Sequence, residues 1–488
     1  MIASQVRSGR WADSAKLLAA ARAAQATEAV AQAACFMGTP ANLAEARGMG
    51  LWDAAVAAAG PDDLVIVVGG AGAEQGLAAA AAILDAKPGG GGGAAAVALP
   101  TNLAKVAADI AVISVPGEYA ALEAHKALGA GMDVMLFSDG VTLDDEVVLK
   151  RRARELGLLV MGPGCGTAII DGVGLAFANV VRRGPVGVVA AAGTGAQEVT
   201  VLLDRYGTGV SACYGTGGRD LSEQVGAITM LDAIDRLVRD AATEVILCVS
   251  KPPAQSVAEQ VLAALHATEK PAAVCFVGAS GLDAPDGVTV GATLEDAAVV
   301  AARMAGVDAA PAPAPDADWV QPGLVRGLYS GGTLCSEAAA ILAERLPRVE
   351  SNAAAGRAVK LAPGEEPTTH ACLDLGEEEY TRGRPHPMID PLARAELFRR
   401  VAADPAVSVI LLDVVLGYAS HDDPAGALVP AIRDALAARE RLAVVAHVCG
   451  TDADPQVASQ QEAKLREAGV RLAATNAQAA RLAAALAG

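Results

Sequence analysis

Val186-Gly-Val-Val-Ala-Ala-Ala-Gly193-Thr194-Gly195-Ala-Gln197-Glu198 is an apolar run that breaks into a glycine turn and then into a helical pattern reaching Tyr206. An α/β chain uses such a turn to aim a helix N-terminus at an anion. The first N–H groups have no helical acceptor, and the aligned peptide dipoles leave about half a positive charge there. A glycine-rich stretch, Gly215-Thr-Gly217-Gly218-Arg219-Asp220, follows. A second turn of the first kind stands at Leu328-Tyr-Ser330-Gly331-Gly332-Thr333-Leu-Cys335-Ser-Glu337. Two such helix starts in one chain predict a phosphate or carboxylate held between two domains.

Outward from these turns, strand-like apolar runs alternate with alanine-rich helical runs, the pattern of parallel α/β domains. Residues 1–87 hold strand candidates at Ala29–Phe36 and Leu64–Val68, in an α/β segment that is part of, or packed on, the next unit. A glycine linker runs from Lys87 to Gly93. Residues 94–183 read as β-α-β-α-β, with strands at Ile110–Val115, Asp133–Phe137 and Leu158–Met161, half of a doubly wound sheet. Residues 184–308 form a second unit with strands at Val186–Ala190, Val245–Val249 and Ala273–Val277. The alanine/proline linker 309–318 has no core face. Residues 319–488 form a third unit, with strands near Val325–Tyr329, Val407–Val414, Ala443–Val448 and Val470–Ala474 and a surface helix from Ala477 to Leu486. Units two and three look alike, each opening with strand, glycine turn and helix.

Composition narrows the function. At 488 residues the chain is too long for one ordinary domain. Apolar residues make up 53 % but aromatics only 3 %, so the cores rest on Ala, Val, Leu and Ile, with little material for stacking platforms. A net charge of −18 argues against nucleic acid. The first residues read as an amphipathic segment, not an apolar leader, and no long uncharged apolar run predicts a membrane span. Eight cysteines without metal-ligand spacing read as reduced thiols, and the expected location is the cytoplasm.

Val160-Met-Gly162-Pro163-Gly164-Cys165-Gly166, the Gly193 turn and Gly215-Thr-Gly217-Gly218 together resemble the α subunit of succinyl-CoA synthetase. In that family the glycine turn opens one of two helices that bind a migrating phosphoryl group. Residues 325–480 look like the carboxyl-terminal domain of its β subunit, whose helix would start here at Ser330-Gly331-Gly332-Thr333. The strings at 215–223 (GTGGRDLSE), 328–335 (LYSGGTLC), 383–391 (GRPHPMIDP) and 447–456 (HVCGTDADPQ) resemble signatures of the FdrA family, which fuses these halves. The resemblance implies a multi-domain α/β fold: a Rossmann-like, CoA-binding-type domain plus two flavodoxin-like domains.

The departures bear on function. The loop 278–287, where such synthetases carry a phosphorylatable histidine, has none. No clean glycine-rich turn for CoA appears in the first unit, and no ATP-grasp segment is present. FdrA-like proteins are associated with oxamate carbamoyltransferase of allantoin (purine) degradation. The resemblance therefore implies a carbamoyltransferase subunit that phosphorolyses oxalurate, or a related N-carbamoyl compound, to carbamoyl phosphate. It implies other carbamoyltransferase subunits as partners in a hetero-oligomer, with phosphate as substrate, no required cofactor and no CoA. The alternatives are an acyl-CoA synthetase or CoA ligase with a degenerate phosphohistidine site, and a non-catalytic scaffold subunit.

Each candidate residue has a plain structural reading beside the functional one. Gly193, Thr194, Gly195 and Gln197 could be an ordinary strand-to-helix turn, but the second turn at Gly331, Gly332 and Thr333 favours an anion site. Gly217, Gly218, Arg219 and Asp220 could be a loop with a surface ion pair, yet Arg219 beside glycines suits a bidentate clamp. Arg384, His386 and Asp390 lie in a loop fixed by three prolines. His421 and His447 both follow strands. His421 is preferred as donor to a leaving nitrogen, whereas His447 could be packed. His125 and His266 receive no role. Cys165 and Cys449 read as small residues packed in turns rather than nucleophiles. Asp422-Asp423 and Asp452-x-Asp454 read as solvated acids, and no metal site is expected. The catalytic set is thus Arg219, Arg384, His386 and His421.

Overall fold

A computed structural model describes the chain except for residues 11, 13, 87–102, 280, 314–316, 318–319 and 382–384. The glycine linker from Lys87 and the Arg384 position lie outside the described residues. The chain divides into two compact units, Met1–Leu99 with Glu378–Pro385, and Pro100–Glu377 with His386–Gly488.

In the first unit, strand Leu64–Gly70 is an unbroken apolar run, Leu-Val-Ile-Val-Val, covered on both faces. It pairs antiparallel with Ile2–Arg7 on one side and Val30–Met37 on the other. Helices Ser14–Gln25 and Ala73–Asp85 cover one face through Leu17, Ala20, Ala24, Ala80 and Leu84. Leu51 and Val56 cover the other. The strand Ile2–Arg7 has too little alternation to stand out in the sequence, and the antiparallel pairing departs from the parallel pattern of the rest.

The second unit contains three sheets. Ile110–Ile113, Asp133–Leu136 and Val160–Met161 form a small parallel sheet with helices Gly117–Gly129 and Leu143–Leu156. A seven-stranded sheet runs in the order Val288–Val290, Ala272–Phe276, Val245–Ser250, Arg183–Ala191, Val210–Gly215, Thr167–Ile170, Val173–Ala176. The first five strands are parallel, and the last two form an antiparallel hairpin. The hairpin thus continues the second sheet although it precedes residue 184 in the chain. The other seven-stranded sheet is parallel, in the order Val359–Lys360, Val349–Ser351, His370–Asp374, Leu324–Tyr329, Val407–Val415, Ala443–Cys449, Arg471–Ala473.

Helices Gly193–Arg205, Leu294–Met304, Gly332–Arg345 and Asn476–Ala487 share one continuous apolar core with strands of both large sheets. Their alanines let backbones approach closely, which explains a core almost without aromatic rings. Two expectations need correction. Asn476–Ala487 is not a surface helix: nearly every residue in it is buried, because alanine on all sides fits it between packed elements. The 309–318 segment is anchored at its start: Ala309 is buried, Arg303 Nε donates to Ala309 O, and Ala312 N–H donates to Glu295.

Candidate functional site

Each glycine turn follows the strand at which chain order reverses in its sheet. Arg183–Ala191 lies between Val210–Gly215 and Val245–Ser250, and Leu324–Tyr329 between His370–Asp374 and Val407–Val415. Ligands of doubly wound sheets gather at such points. The two turns meet: Thr333 N–H donates to Thr194 Oγ1 at 3.3 Å. A Cβ on Gly195 would stand 2.9 Å from Thr333 Cγ2, and one on Gly331 would stand 2.7 Å from Thr194 Cγ2. Glycine at both positions is what lets the helix starts touch.

The two starts differ in what they hold. Helix Gly193–Arg205 has no acid in its first turn, and the N–H groups of Gly193, Thr194 and Gly195 have no intrahelical acceptor. At the second turn, Asp413 accepts from Ser330 N–H and Gly331 N–H, each at 2.8 Å, and from Ser330 Oγ at 3.1 Å. Arg394 pairs with Asp413 at 2.7 Å, both side chains buried. Burial pulls the Arg394 guanidinium below its ordinary value, and Asp413 opposes that. The chain thus supplies the second turn with a carboxylate of its own.

Asp374, the last residue of its strand, and Lys251, the first after Val245–Ser250, stand beside Gly332. A Cβ on Gly332 would overlap Asp374 Oδ2 and come within 3.1 Å of Lys251 Nζ. Asp374 Oδ1 accepts from Gly376 N–H at 2.9 Å. Burial pushes the Asp374 carboxyl up to about 7, with Lys251 drawing it down and Glu377 pushing it further up. Lys251 is partly exposed and lies 3.7 Å from Glu377. His386 borders the same loop: a Cβ on Gly376 would stand 2.6 Å from its Nε2. Its ring packs 5.7 Å, centroid to centroid, from Phe177. Burial takes His386 down to about 4, so the ring is neutral near pH 7. Met388 N–H donates to Nδ1 at 3.3 Å, which leaves the ring proton on Nε2. His386 is a neutral N–H donor beside the Gly376 loop.

The remaining sequence-predicted residues take up other tasks. Gln197 Nε2 donates to Phe177 O, Asn179 Oδ1 and Leu416 O, so this amide ties loops together where a ligand contact was expected. Asp220 is fully buried, 2.8 Å from Lys150 Nζ, and accepts from Thr229 and Met230 N–H at the start of helix Ile228–Arg239. These contacts, too, position the chain. Arg219 donates to Glu146 at 2.9 Å and to Val141 O at 2.8 Å. Gly217 packs on the Gly162–Pro163 backbone, whereas the Gly218 Cβ direction is open. His421 N–H donates to Met388 O, and its Nδ1 accepts from Asp423 N–H, which places it on the loop next to His386. Asp390 accepts from Leu392 N–H.

His447 is buried, with Nε2 2.7 Å from Glu198 Oε2 and Nδ1 3.3 Å from Ala473 O. Glu198, His447 and Cys449 are the one group of three metal-capable side chains among the described residues, with ligand atoms within 4.8 Å. The short Glu198–His447 contact makes it a hydrogen-bonded pair. Burial pushes the Cys165 thiol up to about 12 and Cys449 well above its usual value, so neither offers a thiolate near pH 7. Sequence reading missed Lys251, Asp374, Arg394 and Asp413. For Lys251, Asp374 and Asp413 the available signal was a lone charge at the end of, or inside, a strand of apolar neighbours; Arg394 lies in helix Leu392–Ala403 among other charges and carried no such signal.

Residues 1–98 match the family model "AllF, heavy metal-associated domain", 181–278 "CoA binding domain", and 328–486 "CoA-ligase". The CoA-binding match lies C-terminal to the 94–183 segment for which a CoA-binding-type unit was expected. "Uncharacterized protein YahF" of Escherichia coli (strain K12) is 44 % identical over 385 residues, 75 % of each chain. The succinate–CoA ligase [ADP-forming] subunit alpha 1 of Archaeoglobus fulgidus is 29 % identical over 153 residues, 30 % of this chain and 51 % of that one. Its Aquifex aeolicus counterpart is 28 % identical over 190 residues, 38 % and 60 % of the two chains. The chain therefore spans only about half to three-fifths of those two α subunits. A solved acetyl-coenzyme A synthetase of Ca. Korarchaeum cryptofilum covers 79 % of this chain and 84 % of its own, with TM-score 0.35 and 15 % identity.

The heavy-metal description does not fit the residues of the first unit. Cys35 is the one cysteine in residues 1–98, and burial pushes its thiol up to about 12. No group of three metal-capable side chains occurs there among the described residues. With the YahF likeness and the three domain matches in order, the chain belongs to the FdrA/AllF-like family and joins an AllF-type N-terminal domain to CoA-binding and CoA-ligase-like α/β domains.

Proposed function

We propose that this chain is the phosphate-binding subunit of a carbamoyltransferase that phosphorolyses oxalurate or a related N-carbamoyl compound. The observation that carries the reading is the meeting of the two glycine turns, with Lys251 and Asp374 beside Gly332. Phosphate sits at the Gly193, Thr194 and Gly195 N–H groups, with Lys251 as counter-charge. Its oxygen attacks the carbamoyl carbon. The new C–O bond replaces the C–N bond, the phosphate's proton ends on the departing nitrogen, and the products are carbamoyl phosphate and oxamate. Negative charge grows on the carbonyl oxygen during attack, and the His386 Nε2–H is the neutral donor available to meet it.

No covalent enzyme intermediate or bound cofactor enters this scheme, which agrees with a 278–287 loop that has no histidine. The reading gives the chain other carbamoyltransferase subunits as partners and a cytoplasmic location, the latter in keeping with eight unpaired thiols. A second reading, an acid–thiol ligase, is favoured by the CoA-binding and CoA-ligase matches.

The test uses the chain purified with the subunits it assembles with in its own cells. Incubation with oxalurate and phosphate should release carbamoyl phosphate, and Lys251→Met should lower the rate about a hundredfold or more. CoA-dependent ATP consumption with a labelled phosphoenzyme, and no carbamoyl phosphate, would establish the ligase reading instead. Unchanged activity of the assembled complex after both Lys251→Met and Gly332→Val would reduce the chain to a scaffold.

A further inference from the structure

We propose that the paired glycine turns take up an anion together with a proton, and that Asp374 is the group that receives it. A tetrahedral anion held between Gly193–Gly195 and Gly332 has Asp374 Oδ2 as its neighbour, because that oxygen already lies over Gly332. The carboxyl group cannot swing away freely. Its backbone is clamped by Asn352, whose Nδ2 donates to Asp374 O at 2.8 Å and whose Oδ1 accepts from Asp374 N–H at 2.8 Å. Gly376 N–H holds Oδ1. Oδ2 is therefore the oxygen presented to the anion.

The charges around it decide its state. Glu377 faces it from its own loop, Asp413 from strand Val407–Val415, and Lys251 from the loop after Val245–Ser250. Asp413 is balanced by Arg394 and by two turn N–H groups. His386, on the neighbouring loop, is neutral and adds no charge. Among the described residues, Lys251 is the cation that faces Asp374, and it would have to balance both that carboxylate and an incoming dianion. Asp374 is buried, and beside a dianion its carboxylate would meet like charge that one partly exposed cation does not offset. Burial has already raised the carboxyl's hold on a proton, and the anion raises it further. A protonated Oδ2 then donates a hydrogen bond to the anion instead of repelling it.

Under the phosphorolysis reading, on which this second role rests, the same proton passes to the departing nitrogen as the C–N bond breaks. The attacking phosphate returns its own proton to Asp374, so atoms and charge balance, and the carboxyl gives that proton up again when the product anion leaves. Uptake of the proton does not depend on that reading.

The experiment is calorimetric titration of the full chain with inorganic phosphate and with sulfate, at about pH 8, in two buffers of different ionisation enthalpy. Sulfate does not titrate in this range, so any proton it brings in goes to the protein. The expected result is uptake of close to about one proton per sulfate bound. In Asp374→Asn, sulfate should bind with no uptake and with affinity that no longer falls between about pH 6 and 8. Failure of both anions to bind, absence of uptake in the wild-type chain, or undiminished uptake in Asp374→Asn would overturn the proposal. Should the variant fold poorly, difference infrared spectra of the wild-type chain provide the second readout: a protonated-carboxyl band must grow on sulfate addition, and its absence is equally fatal. Proton uptake without carbamoyl phosphate formation would sink the phosphorolysis reading and leave this inference standing, and the converse pattern would do the reverse.

Discussion

Gly332 has no Cβ because Asp374 Oδ2 and Lys251 Nζ occupy the space one would need. Gly332→Val should therefore displace both side chains and weaken phosphate binding at least about tenfold, while far-ultraviolet circular dichroism stays unchanged; calorimetry measures the first. Lys150 is a different case. It is fully buried, with Glu146 and Asp220 each at 2.8 Å, and it donates to Thr216 O at 2.9 Å. Lys150→Met leaves two carboxylates buried together and should cost about 3–5 kcal/mol in denaturant unfolding. Glu337 sets a pH dependence. Burial lifts its carboxyl from 4.5 to about 7, although Asn476 and Leu294 N–H donate to it. The folded chain thus binds this proton more tightly than the unfolded chain. The stability so gained is fully present below about pH 4.5, declines as pH rises, and is gone above about pH 7. Asp374 adds a contribution of the same sign. Unfolding midpoints of the wild-type chain should fall between pH 5 and 8, and Glu337→Gln should flatten that slope.

Among the elements, the helices shared by the two large sheets carry the long-range contacts, and helix Gly193–Arg205 is tied to strand Ala443–Cys449 by the Glu198–His447 pair and by Arg205 donating to Val448 O. Burial pushes the Glu198 carboxyl up, but His447 overcomes this and holds it below the usual range. His447→Leu strands that carboxylate in an apolar core, with an expected loss of about 3–5 kcal/mol, whereas His447→Gln keeps a donor and should lose less; urea unfolding of the pair separates them. What the sequence revealed at this scale follows from element length. Strands such as Val407–Val415 and Ala443–Cys449 are long apolar runs and were legible. Val349–Ser351, Val359–Lys360 and His370–Asp374 are short and carry Glu350, Lys360, His370 and Asp374, so no apolar run announces them. The glycine turns were legible because a side chain at Gly195, Gly331 or Gly332 would collide with its neighbours. Lys251 and Asp374 were not, because their value lies in an approach across the fold that no spacing encodes. Asn476–Ala487 misled for the opposite reason: its alanines look like a weak amphipathic pattern, and the packing on every side comes from elements distant in sequence.

At the level of the whole molecule, the helix starts lie at the edge of the interior of a protein of net charge −18: Thr194 and Thr333 are buried, Gly332 is half-buried and Gly193 is exposed. Depth and surface charge act on different stages of binding. A dianion diffusing inward meets a repulsive field that salt screens over about 10 Å at 0.1 M. Once seated, a phosphate would contact N–H groups at close range, where salt screens less than it does along the approach. Added inert salt should thus speed phosphate association several-fold and leave dissociation nearly constant, as stopped-flow measurements at rising ionic strength would reveal. Most anion-binding proteins draw their ligand in through a positive surface and lose affinity in salt. Under the phosphate-binding reading, affinity at the glycine turns should instead grow with ionic strength, so that the surroundings of the protein would set how readily the site fills.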